Sequence, residues 1–336
     1  MIDERHSSRL HWLSLGAALL AWCVVVLGAY VRLSDAGLGC PDWPGCYGHI
    51  SVPVDPGQQQ AAAQLYPGKS VEVHKAWKEM VHRYVAGTLG LLILAIFISS
   101  WAERRHRRPT LPGLLLGLVV FQALLGMWTV TQLLKPIVVT AHLLGGMSVL
   151  ALLAWLGFSR FGRLAGTAGP QAASLRIWAA LGLAILIVQI ALGGWTSSNY
   201  AGMACGETLI CRGEWLPDMD FSSAFVLTRK LGMTADGGYL PMEGLVAIHW
   251  LHRLGAVVTF AYLAWLSARL MATGFRRFGL AVSVLLVTQV ALGIANIRLG
   301  LPLALAVMHN GVAALLLVSL VVLNFSLHAN EVEKTS

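Results

Sequence analysis

The chain has 336 residues, of which 57% are hydrophobic and only 12% charged. That charged share is about half of what soluble domains carry, which excludes a soluble globular domain, and so apolar a chain is not a disordered one. The formal net charge of +8 does not call for nucleic acid, because the basic residues cluster in short turns between apolar runs, where they set membrane orientation.

Eight apolar runs of about 18 residues or more are long enough to cross a bilayer as helices. They fall at roughly 12–33, 80–101, 111–133, 137–158, 177–198, 244–268, 278–297 and 302–327. They lack the alternation of strands, and no water satisfies backbone groups in the hydrocarbon layer, so helices are the expected form. The predicted fold is an all-α integral membrane protein of eight transmembrane helices.

The first run has no A-x-A-like cleavage site after it and reads as a retained span. It leads into DAGLGCPDWPGCYG, with Cys40 and Cys46, while Cys23 sits within the span. The second run opens on EMVHR, with Glu79, His82 and Arg83, and ends in the basic stretch ERRHRR at 103–108. The third carries QALLG at 122–126, and the fourth carries His142 in AHLLGG. Arg160, Arg163 and Arg176 separate the fourth run from the fifth, which contains QIALG at 189–193. A second long loop follows with YAGMACGETLICRG, holding Cys205 and Cys211. The sixth run opens on HWLHR, with His249, His252 and Arg253, and is followed by Arg269, Arg276 and Arg277. QVALG at 289–293 lies in the seventh run and His309 in the eighth. With Arg5 and Arg9, the basic turns predict that both termini are cytoplasmic and that the loops at about 34–78 and 199–243 are external.

The order of these motifs repeats. LGAYVRLSDAGLGC (27–40) aligns without gaps onto LGGWTSSNYAGMAC (192–205), and three of the four odd-numbered spans carry Q-x-x-L-G. The chain therefore reads as two tandem pseudo-symmetric four-helix bundles, at 1–165 and 166–336, pointing the same way across the membrane. Glycine in these motifs is expected to let helices approach closely. Four external cysteines allow three pairings, and the repeated spacing favours Cys40–Cys46 and Cys205–Cys211. Such short loops lose only about 2 kcal/mol of chain entropy on closure. The pairs fit structural staples first, as most external cysteine pairs do, with thiol exchange with a partner as the alternative.

Ionisable side chains within a membrane are expensive and default to functional roles. His82, His142, His249, His252 and His309 occur only on even-numbered spans, near their external ends, about 5–15 Å below the surface by helical rise. Each half thus offers two histidines at one depth: His82 with His142, and His252 with His309. A four-coordinate zinc site is poorly served, since neither Cys nor clustered Asp lies at that depth. Two opposed imidazoles in a helix bundle suit the axial positions of a haem. Arg83 and Arg253 would stand at the polar rim, able to pair with propionates or to reach the headgroups. Only the first half has a carboxylate, Glu79, one turn outward of its histidine, where His249 stands in the second. Glu79 is either solvated beside Lys75 or Lys78 or placed to move protons at a haem edge. The first half therefore reads as reactive and the second as the holder of a fixed cofactor.

RLSDAGLGCPDWPGCYG, the E-x-x-H-R of Glu79–Arg83, AHLLGG, the H-R of the sixth span and the histidine of the eighth together resemble the haem A synthase family, over nearly the whole chain. The resemblance implies an inner-membrane oxidoreductase that converts the C8 methyl of haem O to a formyl group by successive hydroxylations, with water as the oxygen source. It implies haem b on His252 and His309 as cofactor, haem O between His82 and His142 as substrate, and Glu79 as the catalytic carboxylate. Haem A as product, haem O synthase as donor, and a quinone or thiol protein as electron acceptor follow, with membrane lipid around the chain and no nucleic acid. His249 has no assigned role by this route. The rival expectation is a non-catalytic bis-histidine b-type cytochrome in quinone-linked electron transfer, which accounts for the histidine pairs but not for Glu79.

Overall fold

The computed structural model describes residues 2–104, 109–159, 170–234 and 236–332. Of the basic turn residues, Arg105, Arg107, Arg108, Arg160 and Arg163 lie outside them. The described residues form ten helices and no strands: α1 (Ile2–Leu33), α2 (Pro56–Leu65), α3 (Val73–Ala102), α4 (Thr110–Thr131), α5 (Pro136–Phe158), α6 (Pro170–Ser198), α7 (Phe221–Ala224), α8 (Met242–Ala272), α9 (Arg276–Arg298) and α10 (Leu303–Val332). Eight of these are long and apolar enough to cross a membrane, matching the eight predicted spans. The chain is a multi-pass membrane protein. Its outer apolar side chains bear this out: Leu91, Ile177 and Val257 are each more than 60% exposed, a liability in water but the ordinary state of a lipid-facing surface.

Packing divides the spans into two closed groups. In the first, α1 packs on α3 and α5, with α4 between those two; in the second, α6 packs on α8 and α10, with α9 between. The groups join through α1, α5, α6 and α10. Their shared interior is aliphatic, with Ile93, Leu115, Leu150, Leu153, Leu263, Leu266 and Leu316 fully buried. Lipid tails are as apolar as leucine, so in the bilayer this core holds the helices together by close packing rather than by exclusion of water. Trp22 donates its indole N–H to the Gly311 carbonyl (3.0 Å), one polar stitch across that seam.

The external connections repeat in detail. Asp35 and Tyr200 follow α1 and α6 in the left-handed region, and so do Tyr47 and Arg212 within the cysteine loops. Single bridges pair Cys46 with His49 and Cys211 with Glu214. Leu134 and Leu301, both at positive φ, lean on Gly37 and Gly202. The Tyr200 hydroxyl donates to Asp35 Oδ1 (2.8 Å), so the two equivalent turns meet. Arg32 strengthens that junction by donating to the Ser197 carbonyl at the end of α6 (2.9 Å) and lying 4.0 Å from the Tyr200 ring centroid. A cation at a helix C-terminus satisfies carbonyls that the helix itself leaves open.

Candidate functional site

Both cysteine pairs form disulfides, Cys40–Cys46 and Cys205–Cys211, and all four sulfur-bearing residues are buried. The first loop presses so closely onto α3 that a Cβ on Gly39 would lie 2.7 Å from the Lys75 backbone, which only glycine permits. Beneath it Glu79 is almost fully buried. One carboxylate oxygen accepts the Cys40 N–H (2.9 Å), and the other accepts from Arg83 Nη2 at 2.5 Å. Arg83 Nη1 donates in turn to the carbonyls of Asp42 (3.0 Å) and Gly45. Neither lysine neighbour takes the carboxylate: Lys75 pairs with Glu72 at 3.0 Å, and Lys78 lies over the Tyr30 ring. Glu79 is therefore a buried, anchored group rather than a solvated one.

The second loop is built the same way around His249. Its Nδ1 faces the Cys205 N–H (3.3 Å) and its Nε2 faces Arg253 Nε (3.1 Å). Arg253 also donates to the Thr208 (2.8 Å) and Gly206 (3.0 Å) carbonyls. His249 thus occupies the place of Glu79, which the sequence left without a role. The replacement is not equivalent. A carboxylate accepts from two N–H groups at once, whereas a neutral imidazole has a single lone pair and accepts from only one. Both arginines use donors on loop carbonyls, which ties each disulfide loop to the helix beneath it.

One turn further in lie the histidines that the sequence paired: His82 and His142 stand on α3 and α5 of the first group, His252 and His309 on α8 and α10 of the second. Each ring rests on a glycine of the preceding long helix. A Cβ on Gly28, Gly126, Gly193 or Gly293 would lie 3.1, 3.5, 3.1 or 3.2 Å from Cε1 of His82, His142, His252 or His309 respectively. Sequence reasoning noticed three of these glycines in Q-x-x-L-G but read them as helix-packing residues; here they seat imidazoles. The signal was the fixed order of motif and histidine along the chain. Gly28→Ala and Gly193→Ala are accordingly expected to displace one ring each and lower ligand occupancy only in that half, read as haem absorbance per protein.

The donor set fits a haem. Among the described residues no group of three or more His, Cys, Asp or Glu is arranged to hold a bare metal ion. A porphyrin supplies four nitrogens itself and needs only two axial ligands. Nδ1 of His82, His142 and His309 is buried without a hydrogen-bond partner, a costly state that ligation, or a proton donated to a nearby acceptor, removes.

Comparison with known proteins narrows what such a pair of sites belongs to. Residues 11–321 match the family model described as cytochrome oxidase assembly protein, COX15-CtaA. The chain belongs to this family. Relatives of the COX15-CtaA family member described here include a protein named heme A synthase from Shewanella oneidensis, 44% identical over 95% of this chain and 97% of the relative. Proteins of the same name from Rhizorhabdus wittichii and Mesorhizobium japonicum are 28% and 26% identical, over 95% and 89% of this chain and 93% and 85% of theirs.

Proposed function

We propose that this protein is a haem A synthase, oxidising the C8 methyl of haem O to the formyl group of haem A for terminal oxidases. The observation that carries the reading is the unequal pair of sites: two matching histidine pairs under matching disulfide loops, with a carboxylate over one and an imidazole over the other. It draws further support from similarity to proteins named heme A synthase along nearly the whole chain.

In this reading His82 and His142 hold haem O as substrate, in the half formed by residues 1–165. His252 and His309 hold haem b, in the half formed by residues 166–336, and haem b supplies one-electron redox chemistry when bound. The reaction balances as methyl plus one water giving formyl, four protons and four electrons, through two hydroxylations and loss of water from the geminal diol. Among the described residues Glu79 is the one buried carboxylate above the reactive half, and it takes protons there. Its second oxygen, held by Arg83, and its first, held by Cys40 N–H, fix it in place so that the proton transfer distance does not fluctuate. The electrons leave to a quinone or a thiol protein. Haem O synthase supplies the substrate. The protein resides in the bacterial inner membrane with both termini cytoplasmic and the disulfide loops outside, by the distribution of its basic turns.

Expression with haem O synthase in a host that makes no haem A tests the reading. Haem A in the extracted pigment, lost when His82 or His142 is replaced by Ala, is the expected result. Absence of any hydroxylated or formylated haem from a folded, haem-loaded protein would refute it.

A further inference from the structure

The four histidine seats differ at one position. Four residues before each glycine seat, one turn along the same helix face, stand Val24, Gln122, Gln189 and Gln289. Gln189 Nε2 lies 3.1 Å from His252 Nδ1 and 3.1 Å from the His252 carbonyl. Gln289 Nε2 lies 3.2 Å from His309 Nε2. Gln122 is buried against Gly145, one turn after His142, where a Cβ would overlap its amide. Gly255, one turn after His252, makes the same room for Gln189. Two histidines, both in the second group of helices, therefore have a glutamine amide within hydrogen-bonding distance, whereas the Gln122 amide nitrogen is buried without a partner. His82 has Val24 at that position and a buried Nδ1 with no partner.

We infer that position 24 and its counterpart at 189 decide which haem is released and which stays, Val24 leaving His82 a loosely held ligand and Gln189 locking His252. The inference rests on the haem reading above and deepens it. A ligating imidazole carries a proton on its other nitrogen, and a hydrogen bond to that N–H fixes the ring and strengthens the ligand. The Gln189 and Gln289 carbonyl oxygens are buried and unpartnered; turning the terminal amide gives each ring the acceptor that such an N–H requires, at the cost, for Gln189, of its contact with the His252 carbonyl. A valine offers none. The ring of His82 then rests on its glycine seat with no partner at Nδ1, which suits a substrate that must leave once oxidised. A resident cofactor needs the opposite.

The test is haem loss from the full-length protein in lipid discs, followed as transfer to excess apomyoglobin, together with the absorption spectrum and haem content. V24Q is expected to slow release from the first half about tenfold or more, and Q189V to speed loss of haem b by a similar factor, the range typical of partners behind a metal ligand. Q189E is expected to restore retention and to shift the spectrum of the second haem, which a merely packing role for Gln189 would not do. V24I controls for added bulk and should leave release unchanged. Unchanged release in V24Q, in a protein of normal haem content, would overturn the inference, and this holds even where Q189V does not fold. H252A separates the two levels: if it keeps its haem, the ligand reading itself fails; if it loses haem while V24Q and Q189V behave as wild type, only this inference fails.

Discussion

Glu79→Gln is expected to lower haem A formation by about 100-fold or more, the lower bound for a positioned acid–base group, while both haems remain bound. The amide keeps one oxygen for the Cys40 N–H but turns an NH2 toward Arg83, where the carboxylate oxygen now sits at 2.5 Å. Breaking a buried ion pair from one side is costly, so loss of turnover in this variant alone would leave open a displaced loop. Glu79→His separates the two causes. The second half already builds the same loop on His249, with Cys205 N–H and Arg253 in the corresponding places, so the fold accommodates an imidazole there. That variant should keep the Cys40–Cys46 disulfide shielded from thiol reagents and still fail to make haem A. Wild-type haem A output from either variant would remove Glu79 from the chemistry.

The second large effect concerns the resident cofactor. In the proposed reading His252→Ala and His309→Ala each remove one of two axial ligands, and each is expected to strip haem b from the purified protein. His249, one turn outward on α8, is no ready substitute, because both its nitrogens already face N–H donors from Cys205 and Arg253. Added imidazole should restore the low-spin spectrum in the space each alanine leaves. Retention of a six-coordinate haem by either variant without imidazole would move the ligand assignment elsewhere. His82→Ala and His142→Ala should instead spare haem b and lose only the substrate.

Much of the architecture could be read from composition, because a bilayer leaves helices as the only open spanning structure and hydropathy marks their length. The helix ends were less legible. The predicted second span began at residue 80, yet α3 starts at Val73. The turn HKAWKEM is helical but too polar to count as membrane, and it is the turn that carries Glu79 into the loop. The short helix α2 went unseen because PGQQQAAAQL has no apolar face to bury, only Ala62 being enclosed. Among the site residues, the histidine pairs and disulfide spacing were visible as repeats. The arginine contacts were not, since they depend on where irregular loop carbonyls point, and such carbonyls have no one-dimensional pattern. Likewise Arg229, buried and donating to Asn199 Oδ1 at 2.5 Å beneath the second loop, gave no signal in sequence; its partner lies 30 residues away across an irregular segment.

The division between a reactive and a resident haem is the centre of the account, and the haems themselves report on it. Mass spectrometry of the pigment extracted from protein purified with its substrate supply intact should show haem b together with haem O or its hydroxylated or formylated products. Haem b alone, at two per chain, would contradict the account and mark the protein as an electron-carrying cytochrome.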